Sequence, residues 1–447
     1  MTRRFGDAET AVTPEERMRA AIRGLPSDRL PWAPRLDLWF KANQRAGTLP
    51  RKHRNATLRD LTDGLGMACH AVVPDFQDLR GPLDDADRAL GIYNLKSMPY
   101  QTVLENVNRR VRVQGDRTIV EYETPCGTVQ TVTLYDDAMR KAGITISHVE
   151  RQAFQSPSDY APLGHLFENA RVVPQYEGFQ AFADYVGDRG LPVAWVTAAA
   201  SPMHWIQRDL MPLDTFFYEM HDHPDDMAHL ARQIETYWNR IQDVICGCPA
   251  EIVLVGANYD ATVTYPPFFA QHILPWLRRF ARGLHARGKW LLTHTDGENT
   301  GLLQHYLAAE IDVADSICPA PMTKLTFKQV RDAFAGRITI MGGIPSVALL
   351  PSSMSDRQFD RFLDGFFEDI GKGGHLILGI SDTTPPAADF RRLLQIGRRV
   401  EAFGSVKPLG NEHLEPGEEP GEVETETPSP MGRASAQRCY RWGGQRM

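Results

Sequence analysis

Short apolar and β-branched runs alternate with amphipathic segments through most of the chain. The runs are nearly continuous in apolar residues, as is typical of strands in a parallel sheet that is buried on both faces. Strand–helix units that repeat every ~30–45 residues, with eight strands in all, predict an α/β fold of the (β/α)₈ TIM barrel type. The predicted strands are Pro31–Leu36, His70–Val73, Val193–Thr197, Glu251–Val255, Trp290–His294, Val313–Ile317, Arg337–Met341 and His375–Ile380.

The helical segments have clear start signals and one apolar face each. Thr13, Pro14 and Glu16 have the spacing of a capping box with proline in the first turn. A second helix is predicted to begin at Pro224, and a third near Pro267 with a bend at Pro275, which has no backbone donor. The inward positions predicted for the helix from Pro224 are Met227, Leu230, Ile234, Tyr237, Trp238, Ile241 and Ile245.

Three segments depart from this rhythm. Residues 110–155 alternate polar and apolar positions like antiparallel hairpins, which predicts a small β-rich insertion over the barrel mouth. Residues 1–12 are predicted to form a flexible arm. Residues 415–430 are rich in Glu and Pro and bury too little surface to fold, so a disordered tail is predicted over 405–447. The barrel is then expected over 13–404.

Composition narrows the class of protein. The 447 residues are 42% hydrophobic and 23% charged, as in a globular protein, and the net charge of −7 disfavours nucleic acid or an anionic membrane as partner. Six cysteines are too few for a disulfide scaffold. No apolar run reaches the ~20 residues of a membrane span, and no secretory signal is evident. A cytoplasmic protein is expected.

Polar residues follow the predicted strands, at the edge where barrel enzymes carry their reactive groups. The segment from His294 to Glu298 places an imidazole and two carboxylates at one strand end. We predict that His294, Asp260 and Glu298 are catalytic, as acids or bases. The residues predicted to bind a small-molecule substrate are Asp37, Asp75, His204, Asn258, Tyr259, Ser381 and Asp382.

The same segment is also a candidate zinc site. His294 and Asp296 are spaced as two ligands, and Cys318 ends a later strand, where its thiolate would be a third. Asp296-Gly297 is equally a good turn sequence, so the alternative is a turn beside a core histidine. Cys246-Gly-Cys248 lies between a helix and a strand, at the opposite edge of a barrel, and is interpreted as structural.

Several stretches resemble the uroporphyrinogen decarboxylase superfamily. They are ARGKWLLTHTDGENTGLLQHYLAAEID, RITIMGGIP and GGHLILGISDTTPPAADFRRLL, with the opening RMRAAIRGLPSDRLPWAPRLDLW and the segment MPLDTFFYEMHDHPDDM. The resemblance covers most of residues 15–404 and implies a (β/α)₈ barrel. The arginine motif of true porphyrinogen decarboxylases has no clean match in residues 36–47, so the resemblance does not favour porphyrinogen as substrate.

The resemblance implies two chemistries. One branch of the superfamily moves methyl groups between small methylated compounds, corrinoid proteins and thiols, often with zinc held by His-x-Cys and a later Cys. Here His294 matches the histidine, Asp296 stands at the first cysteine, and Ser381 stands near the second. We expect a methyltransferase or demethylase that uses a corrinoid partner protein. The alternatives are a cofactor-free decarboxylase and a non-catalytic barrel that binds a small ligand, and a homodimer is one expected assembly.

Overall fold

The computed structural model describes residues 12–72, 86–144 and 146–408. Nearly all of the predicted arm, most of the predicted tail and Asp75 lie outside the described residues. In the described part the strands are β1 (Tyr100–Leu104), β2 (Asn108–Gln114), β3 (Arg117–Thr124), β4 (Gly127–Leu134), β5 (His148–Arg151), β6 (Ala170–Pro174), β7 (Val193–Thr197), β8 (Ile252–Ala257), β9 (Trp290–His294), β10 (Val313–Ile317), β11 (Thr339–Pro345) and β12 (Leu376–Ser381).

Helices surround and connect these strands. The α-helices are α1 (Pro14–Ile22), α2 (Asp37–Ala46), α3 (Leu58–Gly64), α4 (Asp137–Lys141), α5 (Tyr160–Glu168), α6 (Tyr176–Val186), α7 (Pro202–Trp205), α8 (Leu213–Asp222), α9 (Pro224–Cys246), α10 (Pro266–Phe268), α11 (Leu274–His285), α12 (Leu303–Ala308), α13 (Phe327–Phe334), α14 (Asp356–Ile370) and α15 (Phe390–Phe403). Two π-helical turns cover Ile206–Leu210 and Phe269–Ile273. Short 3₁₀ turns cover Arg51–His53, Arg88–Leu90, Pro157–Asp159, Gly187–Arg189 and Ser346–Leu349.

The centre of the fold is a six-stranded parallel sheet with the order β12-β11-β10-β9-β8-β7. Every residue of β7, β8, β10, β11 and β12 is buried, so both faces of the sheet are covered by the rest of the protein. The mixed α/β class and the six later predicted strands are therefore confirmed. Parallel strands end at a common edge, and this edge positions the candidate site.

The first two predicted strands, Pro31–Leu36 and His70–Val73, are not formed as strands in the described residues. Residue 73 itself lies outside them. In the first segment Pro31 and Pro34 have no backbone N–H and cannot donate to a sheet ladder, so regular pairing on both sides is impossible.

Backbone hydrogen bonds nevertheless place these two segments between β12 and β7. The first segment makes a single parallel bridge from Trp32 to Leu378. The bonds that link the segments and the two strands run from Ala33 N to Leu378 O at 2.8 Å, from Ala68 N to Trp32 O at 2.7 Å, and from Val193 N to Ala71 O at 3.0 Å.

The predicted β-rich insertion is present. Strands β2 to β5 form an antiparallel sheet in sequence order, and β1 pairs with β6 in a second antiparallel pair. In β3 and β4 buried and more exposed positions alternate, because one face of the sheet packs against the protein. Tyr122 and Val129 lie on that inner face and belong to the hydrophobic core.

The helix predictions are also confirmed. Thr13 forms the capping box with Glu16, and α9 begins at Pro224 with its predicted apolar positions buried. The helix predicted near Pro267 contains the π-helical turn Phe269–Ile273, which ends two residues before Pro275, and the bend itself stays a prediction. Pro275 removes one regular helical hydrogen bond, which is a known cause of such irregularities.

The folded part reaches beyond the predicted boundary at residue 404. Val406 is buried and exchanges backbone hydrogen bonds with Ser27, at 2.9 and 3.3 Å. Lys407 N donates to Lys372 O. The predicted start of the tail at 405 is therefore wrong, because an apolar side chain at 406 completes the core. No helix in the described ranges is both long and apolar enough to cross a membrane.

Candidate functional site

His294 is the last residue of β9, at the carboxyl edge of the parallel sheet. Its Nδ1 lies 2.6 Å from the Oδ2 atom of Asp315, a charge-assisted hydrogen bond. Its Nε2 faces away from this contact, 3.6 Å from Asp296 Oδ2 and 3.5 Å from Asp382 Oδ1. The side chain is 14% exposed. Asp315 thus fixes the position of Nδ1, and Nε2 faces the side on which the strands end.

Asp315 lies inside β10, one strand away from His294, and its side chain is only 4% exposed. Its other oxygen, Oδ1, is 3.9 Å from His70 Nε2. Burial alone would raise the pKa of Asp315, but the hydrogen bonds and charges of His294 and His70 hold it well below its usual range. Asp315 is therefore ionised and fixes the orientation of the imidazole.

The carboxylates on the Nε2 side have partners of their own. Asn258 donates to both oxygens of Asp296, each at 3.0 Å. Arg35 bridges Asp382 at 2.9 Å and Asp37 at 3.2 Å. The structure thus brings together five of the predicted site residues: His294, Asp296, Asp382, Asn258 and, through Arg35, Asp37.

The electrostatics of this cluster favour an imidazolium. Burial alone would lower the pKa of His294, but its close contacts with the carboxylates of Asp296 and Asp315 raise it well above its usual range. His294 therefore carries a proton near neutral pH. At 3.5–3.6 Å, the contacts of Nε2 are longer than the about 2.7–3.2 Å of a good hydrogen bond. A substrate atom at that edge can compete for this proton.

Asp260 and Glu298, both predicted to be catalytic, accept backbone hydrogen bonds that stabilise the loops around the site. Asp260 accepts from the backbone of Thr262 at 2.8 Å and of Glu298 at 3.2 Å. Glu298 accepts from the backbone of Thr300 and of Lys324, each at 2.9 Å. These bonds occupy both oxygens of each carboxylate, so the two residues shape the loops around the site. No contact joins either of them to His294 in the described part of the chain.

Three predicted substrate ligands are buried and bonded to the protein. His204 Nδ1 accepts from Ala200 N at 3.0 Å, and burial lowers the pKa of His204 to about 3. Tyr259 shares a hydrogen bond of 2.7 Å with Thr293. Ser381 donates to Ile317 O and accepts from Gly343 N at 3.2 Å. Their visible role is to hold the strand ends in place.

The donors of the predicted zinc set can be compared with what zinc requires. A metal-binding histidine needs a free lone pair, which an imidazolium lacks, and a cysteine ligand must be a thiolate. Burial raises the pKa of Cys318 to about 12, and its thiol donates to Ser316 O at 3.4 Å. Zinc would therefore have to displace a proton from His294 and from Cys318, as metals do when they bind such ligands.

Within residues 12–72, 86–144 and 146–408 no group of three or more His, Cys, Asp or Glu side chains is placed to hold a metal ion. Zinc binding by His294, Asp296 and Cys318 stays a prediction. Cys246 and Cys248 are buried free thiols beside the amino end of β8, away from this edge.

Asp315, Arg35 and His70 were missed from the sequence. A signal for Asp315 was available, since an aspartate inside an otherwise buried strand rarely remains without a partner. Arg35 and His70 lie in the two segments that were interpreted only as strands. Their approach to Asp382 and Asp315 depends on how those segments pair, which local sequence does not specify.

Comparison with known proteins adds no assignment to this geometry. No family model matches the chain, and no curated protein matches it significantly.

Proposed function

We propose that this protein is an enzyme in which the His294 imidazolium acts as a general acid at the carboxyl edge of the sheet. The reaction we propose is methyl transfer from a small methylated substrate to a corrinoid carried by a partner protein. The observation that carries the proposal is the 2.6 Å bond from His294 Nδ1 to buried Asp315, with Nε2 left facing the strand ends. Residues 286–312 and 373–394 resemble the uroporphyrinogen decarboxylase superfamily, one branch of which transfers methyl groups, and this resemblance supports the choice of reaction.

The proposed reaction transfers one methyl group and one proton. The bond between the methyl carbon and its nitrogen or oxygen breaks, and the electron pair stays on the heteroatom. His294 Nε2 gives its proton to that atom, which makes it a better leaving group. The corrinoid supplies the nucleophile that accepts the methyl group. Asp315 remains ionised and holds the ring, and water returns the proton to Nε2.

A second candidate is decarboxylation without a cofactor, and Arg35 favours it. Arg35 remains a cation between Asp37 and Asp382, and the charges of these carboxylates raise its pKa although burial alone would lower it. Two positive groups, Arg35 and the His294 ring, would then stabilise the carbanion that forms as carbon dioxide leaves. His294 would protonate that carbon.

We also infer that the six strands belong to a closed (β/α)₈ barrel. The segments around Trp32 and Ala71 supply the support, since their hydrogen bonds connect β12 to β7. Pro31 and Pro34 would limit the pairing between the first segment and β12 to a few hydrogen bonds. Such closure would bring Arg35 and His70 to the same edge as His294.

Reduced free cobalamin tests the methyl-transfer proposal without a partner protein. Methylated amines and methyl aryl ethers are offered, and methylcobalamin is followed by its absorbance. We expect turnover by the wild type and a loss of ~10²-fold or more in His294→Gln, the size typical of a lost general acid. Asp315→Asn should shift the alkaline limit of activity to lower pH, because the ring loses the charge that keeps it protonated.

His285→Gln is the matched control. His285 also pairs with an aspartate, Asp312 at 2.8 Å, but at the amino end of β10. This variant should keep full activity. Full activity of His294→Gln would overturn the role of His294. Release of carbon dioxide from a carboxylated compound, with no methyl transfer, would favour the second candidate, and ligand binding without turnover would favour a binding protein.

A further inference from the structure

A pocket of about 280 Å³ opens beside the candidate site, between the antiparallel sheet and the loops that follow the parallel strands. Arg88 and Tyr93 line one wall, and His148 of β5 lines another. Arg208, Asp209 and Asn258 come from the loops after β7 and β8. We refer to the space between these residues as the arginine pocket.

Positive charge exceeds negative charge on these walls. Arg208 Nη1 pairs with Asp209 Oδ1 at 2.7 Å, which balances one cation and leaves Arg88 in excess. The Nε atoms of Arg88 and Arg208 are buried, and both lack a hydrogen-bond partner within the described residues. Both arginine side chains line the pocket, and guanidinium groups at a concave surface are suited to an oxyanion.

The second oxygen of Asp209 does not cancel this preference. Asp209 Oδ2 is buried and would lie 2.8 Å from a Cβ atom at Gly91, a residue outside the lining of the pocket. Arg88 lies over the ring of Tyr93, with its guanidinium carbon 5.8 Å from the ring centre and its Nη1 3.5 Å from the Tyr93 hydroxyl.

The walls of the pocket are firmly fixed. Trp205 Nε1 donates to Leu90 O at 2.8 Å, which ties the 3₁₀ turn of Arg88 to the helix that precedes Arg208. Asp87, next to Arg88, accepts from Tyr122 at 2.9 Å and from Arg109, both on the antiparallel sheet. Arg208 and Asp209 lie on the π-helical turn Ile206–Leu210, a type of irregularity frequent at functional sites.

A short chain of contacts connects the arginine pocket to His294. Asn258 lines the pocket and donates to Asp296 at 3.0 Å, and Asp296 lies 3.6 Å from His294 Nε2. Asn258 holds this position with a φ of 62°, in the left-handed region that asparagine tolerates. A small molecule anchored in the pocket would therefore extend toward the proton of His294.

We propose that the arginine pocket binds an oxyanion of the substrate, a carboxylate or a phosphate, through Arg88 and Arg208. The substrate would then be a small anionic compound whose reacting group lies beyond the anchor, next to His294. The place of the pocket in the reaction rests on the proposed function, whereas anion binding itself does not.

Calorimetric titration of the full-length protein with benzoate, and separately with inorganic phosphate, tests this proposal. We expect saturable binding of at least one of the two probes. Arg208→Gln and Arg88→Gln should each weaken it tenfold or more, and Arg208→Lys should weaken it less because the charge is kept. Arg282→Gln is the control, since Arg282 pairs with Glu310 on the exposed face of α11. Thermal unfolding of each variant checks that it is folded.

The results distinguish the oxyanion site in the arginine pocket from the proposed methyl transfer. Benzoate binding lost in both arginine variants would support a carboxylate anchor, and phosphate binding lost in them would support a phosphate anchor. Equal loss in Arg282→Gln, or no saturable binding by the folded wild type, would overturn the oxyanion site. Arginine-dependent binding in a protein without methyl transfer would refute the proposed function and leave the pocket standing.

Discussion

At the scale of the residue, Asp315 sets the charge of the site. It lies inside a strand whose other residues are buried, and it holds His294 from a neighbouring strand. The sequence was sufficient to predict His294 and Asp296, because both come from one short segment at a strand end. Asp315 could be paired with His294 only once the order of β9 and β10 was known. Asp260 and Glu298 accept backbone hydrogen bonds in their loops, and their catalytic roles stay predictions.

His204 allows a test of how burial of a histidine makes the stability of the protein depend on pH. Burial lowers its pKa to about 3, against an ordinary value of 6.5, so only the unfolded chain takes up a proton as the pH falls below about 6.5. The resulting penalty on folding is absent at higher pH and grows by about 1.4 kcal/mol for each pH unit below. His204→Asn keeps an acceptor for Ala200 N and removes this titration.

We therefore expect the free energy of unfolding of the wild type to fall by about 2 kcal/mol more than that of His204→Asn between pH 6.5 and 5.0. Urea unfolding at several pH values measures it. Parallel curves for the two proteins would show that His204 is protonated in the folded state. Other groups with shifted pKa values are common to both proteins and cancel in the comparison.

At the scale of the element, regular helices can be predicted from the sequence, whereas irregular backbone segments cannot. The helix from Pro224 followed its apolar spacing closely, because packing on one face is enough to define it. The segments near Pro31 and His70 did not become strands, since their pairing depends on which donors face a neighbour. The π-helical turn Ile206–Leu210 has no sequence signal comparable to Pro275, and it carries Arg208.

Gly91 is a position where an element requires glycine. Its φ is 73°, and a Cβ atom there would lie 2.5 Å from Trp205 Nε1. We expect Gly91→Ala to destabilise the protein through both backbone strain and overpacking, the latter costing roughly 1–3 kcal/mol. Gly115→Ala is the matched control, because Gly115 has a φ of 61° with nothing within 4 Å. Chemical unfolding of both variants gives the difference.

In Gly115→Ala the free energy of unfolding should fall only by the amount that alanine needs to adopt the left-handed conformation. Equal losses in the two variants would contradict the close approach of Gly91 to Trp205. The same pair of variants can be titrated with benzoate, since displacement of Trp205 would move the wall that carries Arg88.

At the scale of the whole molecule, the chain closes on itself near its carboxyl end. Ser27 and Val406 pair through their backbones, so residues far apart in sequence complete one core. The composition of residues 415–430 predicts a segment that does not fold, but a single valine after Gly404 was too short a signal to place the start of that segment.

Two truncations test that boundary. Removal of residues 412–447 should leave the melting temperature unchanged, as expected for a segment too polar to fold. Removal of residues 405–447 also takes away buried Val406 and its two backbone bonds, and should lower the melting temperature by about 3 °C or more. Calorimetry measures both. A large fall in the first truncation, or none in the second, would contradict this boundary.

The mixed origin of the arginine pocket has a consequence for divergence. His294 and its aspartates belong to the parallel strands, whereas His148 comes from the antiparallel sheet inserted before them. Arg208 and Asn258 follow the same parallel strands that carry the acid, so most of the proposed anchor and His294 depend on one sheet. A change in the antiparallel sheet would alter only the side of the pocket at His148 and would leave both arginines and His294 in place.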